Sequence, residues 1–192
     1  MGRIVVHEFM TLDGISEDPR WTFDFGFDPK MGTAIGAMMG GCEAILLGRK
    51  TYTMFEPAWS PRTAAEDPGA PFMNESPKYV VSTTLKDATW KNSSIVDGYS
   101  ADAIREVKDR HARGIYVSGS GTLVRAMLAD KLVDELNLFV FPLVLGRNDG
   151  RLFGDDGLQV RFELASSESF ANGVVHLAYR ATATRQSSSL RD

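Results

Sequence analysis

Ala44-Ile45-Leu46-Leu47-Gly48-Arg49-Lys50-Thr51 is the stretch whose reading decides the fold. Four apolar residues in a row suit a strand buried on both faces, and such strands belong to parallel sheets covered by helices. Gly48 ends the run, and Arg49 to Phe55 opens a helix. At a helix start several backbone N–H groups lack intrahelical partners and point outward with the positive end of the dipole. Gly48 lets an anion approach that backbone closely. Arg49 and Lys50 add charge, the arginine fork suiting a phosphate monoester, and Thr51 adds a hydroxyl donor. The plainer reading is a helix start with two solvated cations. The stretch is not a P-loop, because Gly41 and Gly48 are spaced wrongly for Lys50-Thr51.

A second strand-to-helix turn follows at Val117-Ser118-Gly119-Ser120-Gly121-Thr122-Leu123. Two glycines around a serine at the end of an apolar strand suit close approach to a pyrophosphate, and would equally suit a tight connection. It is not the Rossmann fingerprint: Gly119 and Gly121 fit the first two glycines, but Val124 stands at the third position. Ligands of open α/β sheets sit beyond the carboxyl ends of strands, where both turns fall. Two further strand ends join them. Ser82-Thr83-Thr84 offers three hydroxyls, for a phosphate or for a turn, and Thr11-Leu12-Asp13-Gly14-Ile15 is turn chemistry first.

The remaining chain alternates in the same way. Ile4 to Phe9, Lys78 to Ser82, Ser94 to Val96, Ile115 to Val117 and Val133 to Val140 read as strands. Met31 to Met39 is helical after Asp28-Pro29, a helix follows Ser100 or Asp102 as N-cap, and another runs from Thr122 to Ala129. Phe162 to Ser167 and Val174 to Ala181 flank Asn172-Gly173, a hairpin signal. Strands separated by helices imply crossovers and a mainly parallel sheet, with the hairpin adding antiparallel strands. Glu56 to Pro77 holds five prolines and reads as a long irregular loop, a lid or a surface excursion.

Composition sets the outer bounds. The 192 residues fit one domain, expected over residues 1–184, with 185–192 as a frayed tail. Hydrophobic residues at 43% and charged residues at 24% are ordinary for a globular chain. A net charge of −4 argues against a general nucleic-acid binder and leaves room for a local basic pocket for a small anion. Cys42 is the only cysteine and the three histidines are scattered, so neither a disulfide nor a metal centre is expected. No apolar run approaches the roughly 18 residues that span a bilayer, and no signal peptide is legible. The expected location is the cytoplasm.

Taken in order, Met10-Thr11-Leu12-Asp13-Gly14, Ile45 to Tyr52, Val81-Ser82-Thr83 and Val117 to Leu123 resemble the dihydrofolate reductase superfamily. Pro142 to Gly146 and Arg151-Leu152-Phe153 continue the pattern, which spans residues 3 to 182. The nearest branch is the stand-alone proteins similar to the reductase domain of bifunctional riboflavin-biosynthesis enzymes. The resemblance implies a three-layer α/β fold, an eight- or nine-stranded mixed sheet and bound NADPH. By motif, Arg49 with Ser82 and Thr83 would meet the adenosine 2′-phosphate. Lys50 and Thr51 would lie along the pyrophosphate, with Gly119, Ser120, Gly121, Thr122 and Leu123 opposite. Met10 and Ile15 would flank the nicotinamide through backbone groups. Thr51, Met54 and Phe55 would line the substrate pocket, which Asp13 and Trp21 would complete.

One departure bears on the substrate. True dihydrofolate reductases carry a carboxylate in the first helix, a few residues after a tryptophan; here Asp24 and Asp28 follow Trp21 at other offsets. Trp21, Phe23, Phe25 and Phe27 alternate and could form an aromatic wall or pack in a core. No acid/base pair is legible, and hydride transfer needs chiefly positioning. Asp13 is the one candidate proton relay. The expected activity is NADPH-dependent reduction of a small, flat, conjugated compound such as a pterin or pyrimidine. The alternatives are reduction of 5-amino-6-(5-phosphoribosylamino)uracil and a non-catalytic NADPH-binding module. A homodimer joined near a sheet edge is expected from the resemblance and from the apolar run Leu136 to Phe141, which would equally suit a buried strand.

Overall fold

The structure is a computed structural model that describes residues 1–154 and 157–182; the expected tail at 185–192 lies outside the described residues. The first half supplies β1 (Arg3–Thr11), a 3₁₀ helix (Pro19–Phe25), α1 (Pro29–Gly40), β2 (Cys42–Gly48), α2 (Arg49–Trp59), α3 (Ala70–Glu75), β3 (Lys78–Val81) and β4 (Ser93–Val96). The second supplies α4 (Ala101–Asp109), β5 (Gly114–Ser118), α5 (Gly121–Ala129), β6 (Glu135–Phe141), β7 (Phe162–Ser169) and β8 (Val175–Ala181).

The strands form one eight-stranded sheet in the order β4-β3-β2-β5-β1-β6-β8-β7. From β4 to β6 every pairing is parallel, and β8 and β7 close the far side antiparallel. The expected mixed, mainly parallel α/β sheet with a terminal hairpin is therefore the observed one. Side chains alternate across β1. Ile4 and Val6 join Val117, Val124 and Met127 in the core on the α4 and α5 side. Val5 joins Ile45, Leu47 and Tyr52 on the opposite face, where α1 and α2 pack.

Local signals explain where helices begin. The Asp28 carboxylate accepts the Lys30 N–H at 2.8 Å, with Pro29 in the first turn of α1. Ser100 Oγ accepts the Ala103 N–H at 3.1 Å and opens α4. In the closing hairpin Gly173 adopts φ +84°, a conformation glycine takes without strain, as an Asn-Gly turn requires.

Three expectations change. The Glu56 to Pro77 stretch is not an open loop: α2 runs on through Pro57 to Trp59, and α3 lies within it. Asn74 ties it down, donating to the Trp59 and Arg62 carbonyls and accepting the Trp90 indole N–H at 2.8 Å. Beneath it Lys78 is fully buried, its ammonium donating to the carbonyls of Asn74, Ser76 and Lys91 at 2.8–3.0 Å. Leu136 to Phe141 belongs to β6, an interior strand between β1 and β8, so the run is apolar because its own fold buries it. The Trp21 to Phe27 aromatics do not stand on one face, since a 3₁₀ helix carries residues 19–25. Trp21 and Phe25 turn edge-on to Phe141, while Phe23 and Phe27 are exposed.

Glu8 is the outlier of the core. It is 3% exposed, one oxygen has no hydrogen-bond partner among the described residues, and burial pushes its carboxyl up to about 8 against a weaker pull from Arg125. The folded state therefore holds a proton that the unfolded chain releases near its ordinary 4.5, and stability falls as pH rises from there through about 8. We expect Glu8→Gln to flatten this slope and to raise Tm at pH 8, by roughly 2–4 °C per kcal/mol recovered. Thermal melts of both proteins between pH 5 and 9 check it; parallel curves would contradict it.

Candidate functional site

The two glycine turns meet because β2 and β5 are neighbours in the sheet. Ser120 joins them. Its hydroxyl oxygen accepts the Gly48 N–H at 2.8 Å and lies 2.6 Å from the Thr51 hydroxyl. To do so it adopts the left-handed conformation at φ 69°, ψ 54°, which costs a non-glycine residue roughly 1–2 kcal/mol. The glycines around it are a matter of space. A Cβ on Gly48 would stand 2.9 Å from Ser120 Oγ, and one on Gly119 would stand 3.3 Å from Thr51 Oγ1.

Both helices that leave these turns start without a side-chain cap. The N–H groups of Arg49, Lys50 and Thr51, and of Gly121, Thr122 and Leu123, have no hydrogen-bond partner among the described residues. Two helix N-termini thus open side by side, each a natural seat for anionic oxygen. Arg49 is exposed and makes no ion pair among the described residues. Lys50 Nζ sits 3.0 Å from Glu17 Oε1. Thr51 is buried, Met54 half exposed and Phe55 partly buried, so the substrate-side candidates of α2 run from floor to rim.

The loop after β1 lies against the same place. Asp13 accepts the Thr11 hydroxyl at 2.6 Å and the N–H groups of Gly146 at 2.8 Å and Leu145 at 3.3 Å. These donors, Thr11 foremost, hold its carboxyl down at about 2. Through these contacts the Asp13 carboxylate joins the loop after β1 to the loop at Leu145-Gly146. Ile15 is fully buried, with its N–H given to Thr11 Oγ1 and its carbonyl accepting the Thr11 N–H. Met10 is paired within β1 and β6. Ser82 Oγ accepts the N–H groups of Thr84 and Leu85 at 3.1 and 2.9 Å, which is turn formation, and Thr83 beside it is exposed.

Trp21 packs on Phe141, and its indole N–H is buried without a partner among the described residues. Asp28 is no free carboxylate: besides capping α1 it accepts the Ala171 N–H at 2.9 Å.

Sequence reasoning missed several residues. Arg125 stands on the second turn of α5, donating to Thr122 Oγ1 at 3.3 Å and to the Arg151 carbonyl at 2.7 Å. Its position three residues after Thr122 was the available signal, since one helical turn returns a side chain to the same face. Ser16 Oγ and an Arg125 nitrogen both lie 3.6 Å from where a Gly121 Cβ would be. Glu17 and Arg147, which donates to the Glu17 carbonyl at 2.6 Å, carried no local pattern. His7 has its Nδ1 2.6 Å from the Tyr116 hydroxyl inside the core, invisible to any motif.

The family described as the RibD C-terminal domain matches residues 3–176, and the chain belongs to that family. The YyaP protein of Bacillus subtilis (strain 168), described as uncharacterized, is 26% identical over 183 residues, 92% of this chain and 94% of its own. A Shewanella sp. PV-4 structure, provisionally assigned to riboflavin biosynthesis, superposes with a TM-score of 0.76 at 22% identity, covering 94% of this chain and 99% of its own. The Thermotoga maritima diaminohydroxyphosphoribosylaminopyrimidine deaminase/5-amino-6-(5-phosphoribosylamino)uracil reductase superposes at 0.67 with 18% identity, covering 94% of this chain and 57% of the larger protein. At these identities the structures establish the shared dihydrofolate-reductase-like fold.

The Ser120 junction is testable on its own. Ser120→Ala leaves the Gly48 N–H without its acceptor and the Thr51 hydroxyl without its partner, and we expect a loss of about 1–3 kcal/mol in urea denaturation. An unchanged midpoint would show that the hydroxyl does not hold the turns together.

Proposed function

We propose that the chain is an NADPH-dependent reductase of a small, flat, conjugated substrate. The observation that carries this reading is the pair of uncapped helix N-termini locked side by side by Ser120, with the unpaired Arg49 guanidinium at one of them. A pyrophosphate has two phosphates to place, and two open helix starts answer to it. Arg49 then stands for the 2′-phosphate that distinguishes NADPH from NADH, and Ser82 and Thr83 stand near the end of β3 with hydroxyls to share. Lys50, now paired with Glu17, would exchange that carboxylate for a phosphate.

When bound, the nicotinamide supplies the hydride. The chain's own residues hold and orient it, with Met10 and Ile15 proposed beside the ring and Asp13 fixing the loop between them. Thr51, Met54, Phe55 and Trp21 are proposed to border the substrate. Reduction of 5-amino-6-(5-phosphoribosylamino)uracil is the second reading, favoured by the family and by the activity named for the Thermotoga maritima protein. It requires a cationic seat for the substrate's own phosphate. Of the candidates Arg20, Lys30 and Arg62, the two arginines are paired with Asp18 and Asp67, and Lys30 stands exposed at the start of α1.

Fluorescence titration of NADPH and NADH against wild-type protein and Arg49→Ala tests the cofactor. We expect tighter binding of NADPH, and a loss of about tenfold or more for NADPH alone in the variant, as for a charge-assisted hydrogen bond. Equal weak binding of both nucleotides would defeat the assignment. The same reading takes the partner to be a second copy of the chain, joined at β7, an edge strand exposed almost throughout. Sedimentation velocity should give a dimer, and Phe162 to Ser169 substituted with lysines at alternate positions should give a monomer; a monomeric wild type would remove this part.

A further inference from the structure

On the face of the sheet covered by α1 and α2 the apolar core falls into two clusters. One holds Val5, Ile45, Leu47, Tyr52 and Tyr116. The other holds Phe139, Phe141, Phe170 and Val174, with Phe9 and Trp21 packed against it. Ile35 and Met38 of α1 border both.

His7 stands at the junction. Its ring lies 5.8 Å from that of Tyr116 on one side, and 4.8 and 5.1 Å from those of Phe9 and Phe139 on the other. Nδ1 is bonded to the Tyr116 hydroxyl, whereas Nε2 is buried and has no hydrogen-bond partner among the described residues. Buried polar atoms are nearly always satisfied, so an unmatched one asks for a partner that arrives later. Trp21 brings a second such atom, its indole N–H, to the cluster on the Phe9 side. The His7 carbonyl accepts the Gly119 N–H at 3.4 Å, which sets this residue directly beneath the second glycine turn.

The chemistry of the seam is neutral. Burial, aided by His176, lowers the His7 imidazole to about 3. Burial also lowers His176 and raises the Tyr116 phenol above its ordinary value. A protonated phenol that donates to Nδ1 leaves the imidazole hydrogen on Nε2. In that arrangement the imidazole is an uncharged N–H donor.

We propose that the seam at His7 receives the substrate, and that Nε2–H donates to the carbonyl oxygen or imine nitrogen of a flat, uncharged acceptor. The proposal rests on the reductase reading and specifies its substrate class. A bound nicotinamide would supply a hydride with its electron pair to the acceptor carbon, the π electrons would pass to the heteroatom beside His7 Nε2, and that heteroatom would take a proton from water. NADPH becomes NADP⁺. His7 keeps its own proton throughout, and its hydrogen bond polarises the acceptor and stabilises the negative charge that develops on the heteroatom. Tyr116 acts through His7 as a positioning residue.

The test reads the histidine directly. Protein labelled with ¹⁵N-histidine is saturated with NADP⁺ and followed by two-dimensional NMR from pH 5 to 8, then titrated with pterin, uracil and 1,4-naphthoquinone. We expect a neutral Nε2–H tautomer across the range, moved by at least one of the three compounds. The Nδ1–H tautomer, a titrating ring, or an Nε2–H resonance unmoved by all three would overturn the proposal. Failure of NADP⁺ to bind in the same sample would overturn the reductase reading instead. His7→Phe should weaken the responding compound about tenfold with NADPH affinity within about twofold, and His7→Gln, which keeps an N–H, should recover part of the loss. A purely structural His7 would instead lower Tm and NADPH affinity together in both variants.

Discussion

The site depends on one hydroxyl. Ser120 accepts the Gly48 N–H and shares a hydrogen with Thr51, and through these two contacts the turn after β2 and the turn after β5 become one surface. Neighbouring parallel strands bring the turns within reach, but the strands alone leave their orientation open. The serine fixes it at the expense of a left-handed backbone. Gly48 and Gly119 follow from the same contact, since a side chain at either would meet Ser120 or Thr51. Neither α2 nor α5 has a side-chain cap, so their first N–H groups stay open to solvent or to a ligand.

Behind that surface β1 carries two adjacent ionisable residues on opposite faces of the sheet. Glu8 lies on the α5 side under the pull of Arg125, and His7 lies on the α1 side against Tyr116. Burial drives both toward their neutral forms, the carboxyl by keeping its proton and the imidazole by losing one. His7 and Glu8 are thus polar without being charged, and the positive charge near the turns stands on Arg49, Lys50 and Arg125. A long anion held at its phosphates, with an uncharged ring pressed toward the sheet, matches that division.

Much of this was legible in the residues. The Ala44 to Leu47 run announced a strand covered on both faces, Asp28-Pro29 and Ser100 announced helix starts, and Asn172-Gly173 announced the hairpin. Each is a local signal with a local cause. The failures share a different cause. Leu136 to Phe141 is apolar for an edge or for an interior, and only the arrival of β8 from later in the chain decides between them. Five prolines made Glu56 to Pro77 look structureless, yet Asn74 and Lys78 gather its carbonyls from beneath. The junction of Ser120 with Gly48, and that of His7 with Tyr116, join residues 72 and 109 positions apart, beyond what any spacing can report.

The central claim is that two turns form one dinucleotide seat. A ¹⁵N–¹H correlation titration with NADP⁺ tests it most directly, because the amides of Arg49 to Thr51 and of Gly121 to Leu123 are the proposed donors. The account predicts that both groups shift together along a single saturation curve. Shifts confined to one turn, or two curves with different midpoints, would contradict it.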